Sequence, residues 1–256
     1  LELDIQEVYQ RFILEEFAHK ISYSDYKEQF IIKGGFVVST ILGFETRMTR
    51  DIDLTYSSTI YSDDEIKAII NNVIKAPYDS VFNYTITNIK KAQKDDEFPG
   101  YIITIQASLD NTKFDIKLDI ANNTLIYPEA IENNLSSLFS NTKINVYTYH
   151  LENIIAEKFE TTLDRGEFNG RIRDLFDIYF LFTKSKTIID KDILKTSILA
   201  VSEDRETFDN LKNYKKIKSN LLNSPIFNQN FIKYRDLPYP DSDLKLIATM
   251  NVVDII

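Results

Sequence analysis

The sequence predicts an α+β architecture: a mixed sheet flanked by helices, followed by an α-helical domain. Three features carry the prediction. Apolar residues recur at helical period near the start and again after Tyr147. The runs FIIK and DIDLTY are short and β-rich, and an apolar stretch opened by two glycines separates them. Strict alternation over TKFDIKLDI marks a half-buried strand. The order helix, strand, helix, strand, helix, then strands in series argues for a mixed sheet rather than a regular doubly wound one. The spacing places a domain boundary at 148, giving 1–148 as the mixed domain and 149–256 as the helical one.

Taken in order, the first helix rests on Ile5, Val8, Tyr9, Phe12, Ile13, Phe17 and Ile21, which share one face at period 3.6. FIIK is the first strand. GGFVVSTILGF follows as a helix closed near Gly43, and DIDLTY is the next strand. Ser62 followed by Glu65 is a capping-box signature and starts a helix through SDDEIKAIINNVIKA. Three β-like runs come next, VFNYTITNIKKAQ, YIITIQASLD and TKFDIKLDI, with turn signals in DDEFPG and at Asp110-Asn111. In the last run Phe114, Ile116, Leu118 and Ile120 point one way, and Asp115, Lys117 and Asp119 the other. LENIIAEKFETTLDR and RIRDLFDIYFLF are helices around the loop GEFNG.

The totals narrow the chemistry. Cysteine is absent and there are two histidines, so thiolate and multi-histidine metal sites are excluded, and any metal has oxygen ligands. The chain carries a net charge of -9, with -8 in residues 1–150 and -1 in the rest. Such a balance disfavours nonspecific nucleic-acid binding and leaves room for a local basic patch in the second part. No apolar run approaches the roughly 18 residues of a membrane span, and no signal peptide is visible. The expectation is a cytoplasmic protein with no membrane partner.

Asp51 and Asp53 are two residues apart in a strand and face the same side. Carboxylates at that spacing converge on one divalent ion or bridge two. The alternative is an exposed strand whose acids face water. Gly34 and Gly35, ahead of a helix, let backbone amides approach a phosphate closely, although a tight turn explains the pair equally well. Asp119 is placed to join them from a neighbouring strand, with a solvated polar face as its alternative. In the helical part, Lys158 falls on the apolar stripe of Leu151, Ile154, Ile155, Phe159 and Thr162, where a lysine must snorkel or meet an anion. Asp174 and Asp177 are i,i+3 neighbours, and Arg173 has the spacing to pair with Asp177; Asp174 is also placed to face Lys158.

These residues resemble a known family. Lys33-Gly34-Gly35, a helix, then Arg47, Thr49, Asp51 and Asp53 in R-x-T-x-D-I-D resemble the first motif of the nucleotidyltransferase-fold toxins of bacterial abortive-infection systems, the AbiEii/AbiGii toxins, to which the MenT-type toxins are similar. Ala-Glu-Lys158 and R-D-L-F-D-I-Y, with Arg173, Asp174 and Asp177, follow in the family's order, so the match spans about residues 5–180. The resemblance implies a nucleotidyltransferase (polymerase-β-like) domain with a helical C-terminal domain, a nucleoside triphosphate substrate, and Mg2+ or Mn2+. It implies a phage-defence toxin paired with an antitoxin encoded nearby, some relatives of which add nucleotides to the tRNA 3′ end. It also implies Asp51 and Asp53 as metal ligands with Asp119 as third carboxylate, and Asp174 as a further catalytic acid. Lys158 becomes the catalytic triphosphate-binding lysine. Lys33, Gly34, Gly35, Arg47, Thr49, Arg173 and Asp177 fall at nucleotide-binding positions. The wider superfamily usually has Gly-Ser where this chain has Gly34-Gly35, which leaves Lys33 or Thr49 to replace the serine contact.

Two other readings stay open on the residues: a nucleotidyltransferase acting on a small molecule or a protein hydroxyl, and a nucleotide-binding module without turnover. Lys212, Lys215, Lys216 and Lys218 in LKNYKKIKSN favour an RNA acceptor, against a merely solvated helix face, and Tyr214 among them is placed either to stack on a base or to join the core.

Overall fold

The computed structural model describes residues 5–43, 48–92, 98–184 and 189–235. By internal contacts the chain divides into two compact units: residues up to Thr124 with Ala130–Tyr149, and Leu125–Glu129 with the chain from His150 onward.

The first unit is built on a sheet. Helix α1 (Ile5–Ser22) leads to β1 (Phe30–Lys33), and α2 (Gly34–Leu42) follows with no intervening residue. Then come β2 (Asp51–Tyr56), α3 (Asp63–Ile74), β3 (Asn83–Lys91), β4 (Tyr101–Leu109), β5 (Thr112–Asn122), β6 (Ile131–Ser136) and β7 (Lys143–Thr148). Among the described residues these strands form one sheet in the order β3-β4-β5-β2-β1-β7-β6. The β2–β5 and β1–β7 pairs are parallel and the others antiparallel, so the sheet is mixed. The capping signature works at the head of α3: Ser62 Oγ accepts the Glu65 amide at 3.1 Å, and Glu65 Oε2 accepts the Tyr61 amide at 2.8 Å.

One face of the sheet is largely apolar. Ile32, Ile52, Leu54, Ile103, Ile105, Ile116, Leu118 and Ile120 are all buried, and α1 and α3 pack onto strands of the sheet. Residues one step along each strand point the other way, which puts Asp51, Asp53, Lys117 and Asp119 on the opposite face. That separation lets a charged cluster stand on strands whose other side is core.

Two sequence expectations need correction here. Ile5 and Tyr9 are 64% and 44% exposed, so the apolar stripe of α1 enters the core only from its third turn. Strands β6 and β7 were not anticipated. IENNLS is a sheet-edge strand with Leu135 as its one buried residue, which leaves little alternation to read.

The second unit is helical: α4 (Leu151–Arg165), a 3-10 turn (Gly166–Phe168), α5 (Ile172–Lys184), α6 (Lys191–Asp204), α7 (Phe208–Lys212), α8 (Tyr214–Asn223) and α9 (Pro225–Arg235). The stripe Leu151, Ile154, Ile155, Phe159 and Thr162 is buried, as are Ile172, Leu175 and Phe176 on α5. Phe176 stacks on Phe231 of α9 at 5.8 Å between ring centres. Asp190 caps α6 by accepting the amides of Asp192 and Ile193. No helix among the described residues is long and apolar enough to cross a membrane.

Candidate active site

Sheet register assembles the first cluster. In β2 and β5 Asp53 is paired with Asp119, and Asp51 with Lys117, while β1 sets Lys33 opposite Asp53. Paired residues share a face, so Asp53 stands between a lysine and an aspartate, with Asp51 two residues along its own strand. Residues 66 positions apart in the chain thus become neighbours because β5 returns parallel to β2.

The head of α2 closes on this cluster from the chain's own backbone. Gly34 has φ +61°, and a β-carbon built there would lie 2.0 Å from Asp53 Oδ2. A side chain is therefore excluded twice, by conformation and by the carboxylate. The next amide, Gly35 N–H, donates to Asp53 Oδ2 at 3.2 Å. Thr49, itself buried, donates its hydroxyl to Asp51 Oδ1 at 2.8 Å. The ammonium of Lys33 lies over the Tyr149 ring at 5.1 Å, and Tyr149 OH shares a 2.7 Å hydrogen bond with Thr55 Oγ1.

Electrostatics follow from that packing. Burial pushes the Asp53 carboxyl upward, and the charge of Asp51 adds to it; the Gly35 amide and Lys33 pull it back, and Asp119 raises it again, leaving it at about 6 instead of 3.8. A carboxylate held that high is short of positive charge.

Asp51, Asp53 and Asp119 share a face, yet their oxygens do not converge. Among the described residues no group of three or more such side chains is close enough to hold a metal ion. The reason is local: Asp51 is turned to the Thr49 hydroxyl and Asp53 to the Gly35 amide. Thr49 and Gly35, expected at phosphates, are here engaged with the two aspartates. The donor set still fits a hard divalent cation, since it is oxygen only, like-charged and partly desolvated. Arg47 lies outside the described residues.

The second cluster is in the helical unit. Lys158 on α4 meets Asp174 Oδ1 at 2.7 Å and Asp177 Oδ2 at 2.8 Å, both on α5, and Arg171 Nε reaches Asp174 Oδ2 at 3.0 Å. Asp174 and Asp177 are 5% and 1% exposed, so this is a buried ionic brace between two helices and not a surface ion pair. Burial alone would lower the pKa of Lys158; Asp177 and then Asp174 outweigh it, and the net shift is upward. The sequence leaves Lys158 to snorkel or to meet an anion, and the structure gives it two carboxylates. Arg173 is exposed on α5, and Asp177, expected opposite it, is joined to Lys158.

Tyr149 and Thr55 were missed in the sequence. No spacing rule connects them, because their contact depends on β1 and β2 lying side by side next to β7.

The chain is similar to known proteins along most of its length. The family described as "Nucleotidyl transferase AbiEii toxin, Type IV TA system" matches residues 17–243. Among solved structures, the Helicobacter pylori protein JHP933 superposes with a TM-score of 0.54 at 16% identity, covering 98% of this chain and 93% of its own. A second H. pylori structure, titled as a candidate nucleotidyltransferase, gives 0.53 at 17% identity, with 98% and 96% covered. The nucleotidyltransferase toxin MenT4 of Mycobacterium tuberculosis gives 0.51 at 15% identity, with 77% of this chain and 65% of MenT4 covered. At such identities the superpositions establish the nucleotidyltransferase fold. No curated protein matches significantly.

Proposed function

The chain belongs to the AbiEii nucleotidyl transferase toxin family of type IV toxin–antitoxin systems, and from that premise we propose that it moves a nucleotide from a nucleoside triphosphate to the hydroxyl at an RNA end such as the tRNA 3′ end. In the transfer, the acceptor oxygen bonds to the α-phosphorus, the bond from that phosphorus to the bridging oxygen breaks, and pyrophosphate leaves. The hydroxyl proton passes to water. Toxicity then follows from RNA that no longer serves translation, and an antitoxin encoded nearby opposes it.

The observation that carries this reading is the junction of β1, α2, β2 and β5. It sets Asp51, Asp53 and Asp119 on one face, with Lys33 beside them and a glycine-opened helix against Asp53. Asp51, Asp53 and Asp119 are the residues that would hold Mg2+ or Mn2+. When bound, such an ion screens triphosphate charge and makes an attacking hydroxyl more acidic. The chain's own groups do the rest. Thr49 orients Asp51, and Lys33 offers a cation to a phosphate oxygen. The Gly35 amide, long at 3.2 Å to Asp53, is the donor that α2 offers to the same ligand. The geometry supports a bracing role for Lys158, Asp174 and Asp177, which hold α4 to α5.

The test is incubation with each labelled triphosphate, total tRNA and magnesium. Label is expected on RNA, and Asp51→Asn, which keeps size and fold, is expected to abolish it. Label on a small molecule or a protein instead would overturn the RNA acceptor, and full transfer by Asp51→Asn would overturn the carboxylate assignment.

A further inference from the structure

The helical unit carries a cleft that the proposed reaction does not use. Its volume is about 300 Å³, at the lower end of ligand sites, and it lies where the 3-10 turn meets the α8–α9 junction. Phe168 forms one wall and is 72% exposed, unusual for so large an apolar residue. Asn220 and Asn223 on α8 form another wall, one turn apart on the helix. Asn223 Nδ2 donates to Ser219 O at 2.8 Å, so the group this side chain has to offer a ligand is its carbonyl oxygen, an acceptor. The walls are fixed by the fold itself: Ser224 Oγ donates to Glu167 O at 2.6 Å and accepts the Phe227 amide at 3.3 Å. These bonds hold the α8–α9 junction against the 3-10 turn.

Its charge surroundings select the ligand. Between residues 208 and 224 the chain has four lysines and one aspartate, in a protein whose net charge is -9. Lys216 is four residues before Asn220, so it projects from α8 one turn away from the cleft; Lys215 precedes it on the same helix, and both are exposed. Glu167 stands at the rim. A carboxylate there repels a phosphate and accepts hydrogen bonds from an exocyclic amine. A planar group thus fits inside, with anions outside along α8, which is the charge pattern of a nucleotide in a single strand.

We propose that this cleft holds an unpaired base of the RNA acceptor, stacked on Phe168 and read by Asn220 and Asn223, with the neighbouring phosphates on Lys215 and Lys216. The assignment rests on the RNA-end reading above and adds to it a place where the acceptor is gripped. It explains why an aromatic ring is left in solvent beside two amides. It also places the basic segment of an acidic protein on the helix that walls the cleft.

The probe is a fluorescein-labelled single-stranded oligoribonucleotide, followed by anisotropy across a range of salt, together with steady-state transfer. Phe168→Ala is expected to weaken binding by about 10-fold or more with little change in salt dependence, and Phe168→Trp to retain it. The double variant Lys215→Gln/Lys216→Gln is expected to lower the slope of log affinity against log salt by about 1.4, the loss of two phosphate contacts. Both are expected to raise the KM for RNA and leave the KM for triphosphate and the Tm unchanged. If RNA is labelled and Phe168→Ala binds as tightly as the wild type, the cleft assignment is wrong while the RNA reading stands. If the wild-type protein neither binds the oligonucleotide nor labels RNA, yet transfers nucleotide to another acceptor, the RNA reading has failed and the cleft falls with it.

Discussion

Replacing Gly34 by alanine probes the contact between the head of α2 and Asp53. The backbone there has φ +61°, which costs an L-residue about 1–2 kcal/mol. The new β-carbon would meet Asp53 Oδ2 at 2.0 Å, where ordinary contact begins at 3.4 Å, so one group must retreat by about 1.4 Å. Turning the carboxylate does not relieve the clash, because Asp53 Cγ and Cβ are themselves at 2.8 and 3.0 Å. The whole side chain or the helix end has to move, and the Gly35–Asp53 hydrogen bond goes with it. Misplacement of about an ångström at a reacting centre costs about 10²-fold in rate. The backbone strain lowers Tm by roughly 2–8 °C in a chain of this size. Single-turnover transfer of labelled nucleotide and thermal unfolding measure the two effects separately. In an Asp53→Ala background the same substitution is expected to cost little beyond the backbone part, since the 2.0 and 2.8 Å contacts are gone and only the Cβ contact at 3.0 Å stays. Wild-type transfer by Gly34→Ala would show that Asp53 does not need its present position, and the reasoning about the junction would be refuted.

Two other perturbations have signs set by the structure. The Asp53 carboxyl, raised from 3.8 to about 6, binds its proton more tightly folded than unfolded. Its stability contribution is full below about pH 4 and is lost as pH rises through about 6, so the metal-free protein should lose stability across that window. A divalent cation competes with that proton, so calorimetric affinity for Mn2+ should rise across the same interval; a flat profile would contradict the assignment. Lys158→Ala leaves the buried Asp174 and Asp177 without the ammonium that joins them, while Arg171 stays on Asp174, and removing one partner of a buried pair costs about 3–5 kcal/mol. Urea denaturation should show that loss, with partial recovery when Asp177→Asn is added; a loss under about 1 kcal/mol with nucleotide binding abolished would give the lysine to the triphosphate instead.

Much of the fold was legible because local chemistry and tertiary structure agree. FIIK, the glycine-opened helix, DIDLTY and the Ser62 cap form as their sequence patterns indicate, since each has its own start and stop signal. Strand β6 escaped notice because an edge strand has neighbours on one side only and need not alternate. The site was legible residue by residue and not as a geometry. Asp51 and Asp53 share a face by strand period alone, but the pairing of Asp53 with Asp119 depends on which strand β5 chooses as neighbour. Lys158 stands out because a cation on an apolar stripe must either snorkel or meet an anion. That both Asp174 and Asp177 meet it follows from how α4 and α5 pack, which no single-helix pattern contains. The demand for glycine at position 34 was read as room for a phosphate, whereas the nearest occupant is the chain's own carboxylate.

The parallel pairing of β2 with β5 also sets an order of events during synthesis. Asp53 emerges from the ribosome well before its sheet neighbour Asp119, and β3 and β4 are made between them. Until β5 is made, β2 lacks the strand that carries the third carboxylate, and β1 waits longer still for β7. Non-local pairings of this kind are slow to form. A chain that ends before β5 lacks Asp119 and leaves β2 with β1 as its sheet neighbour.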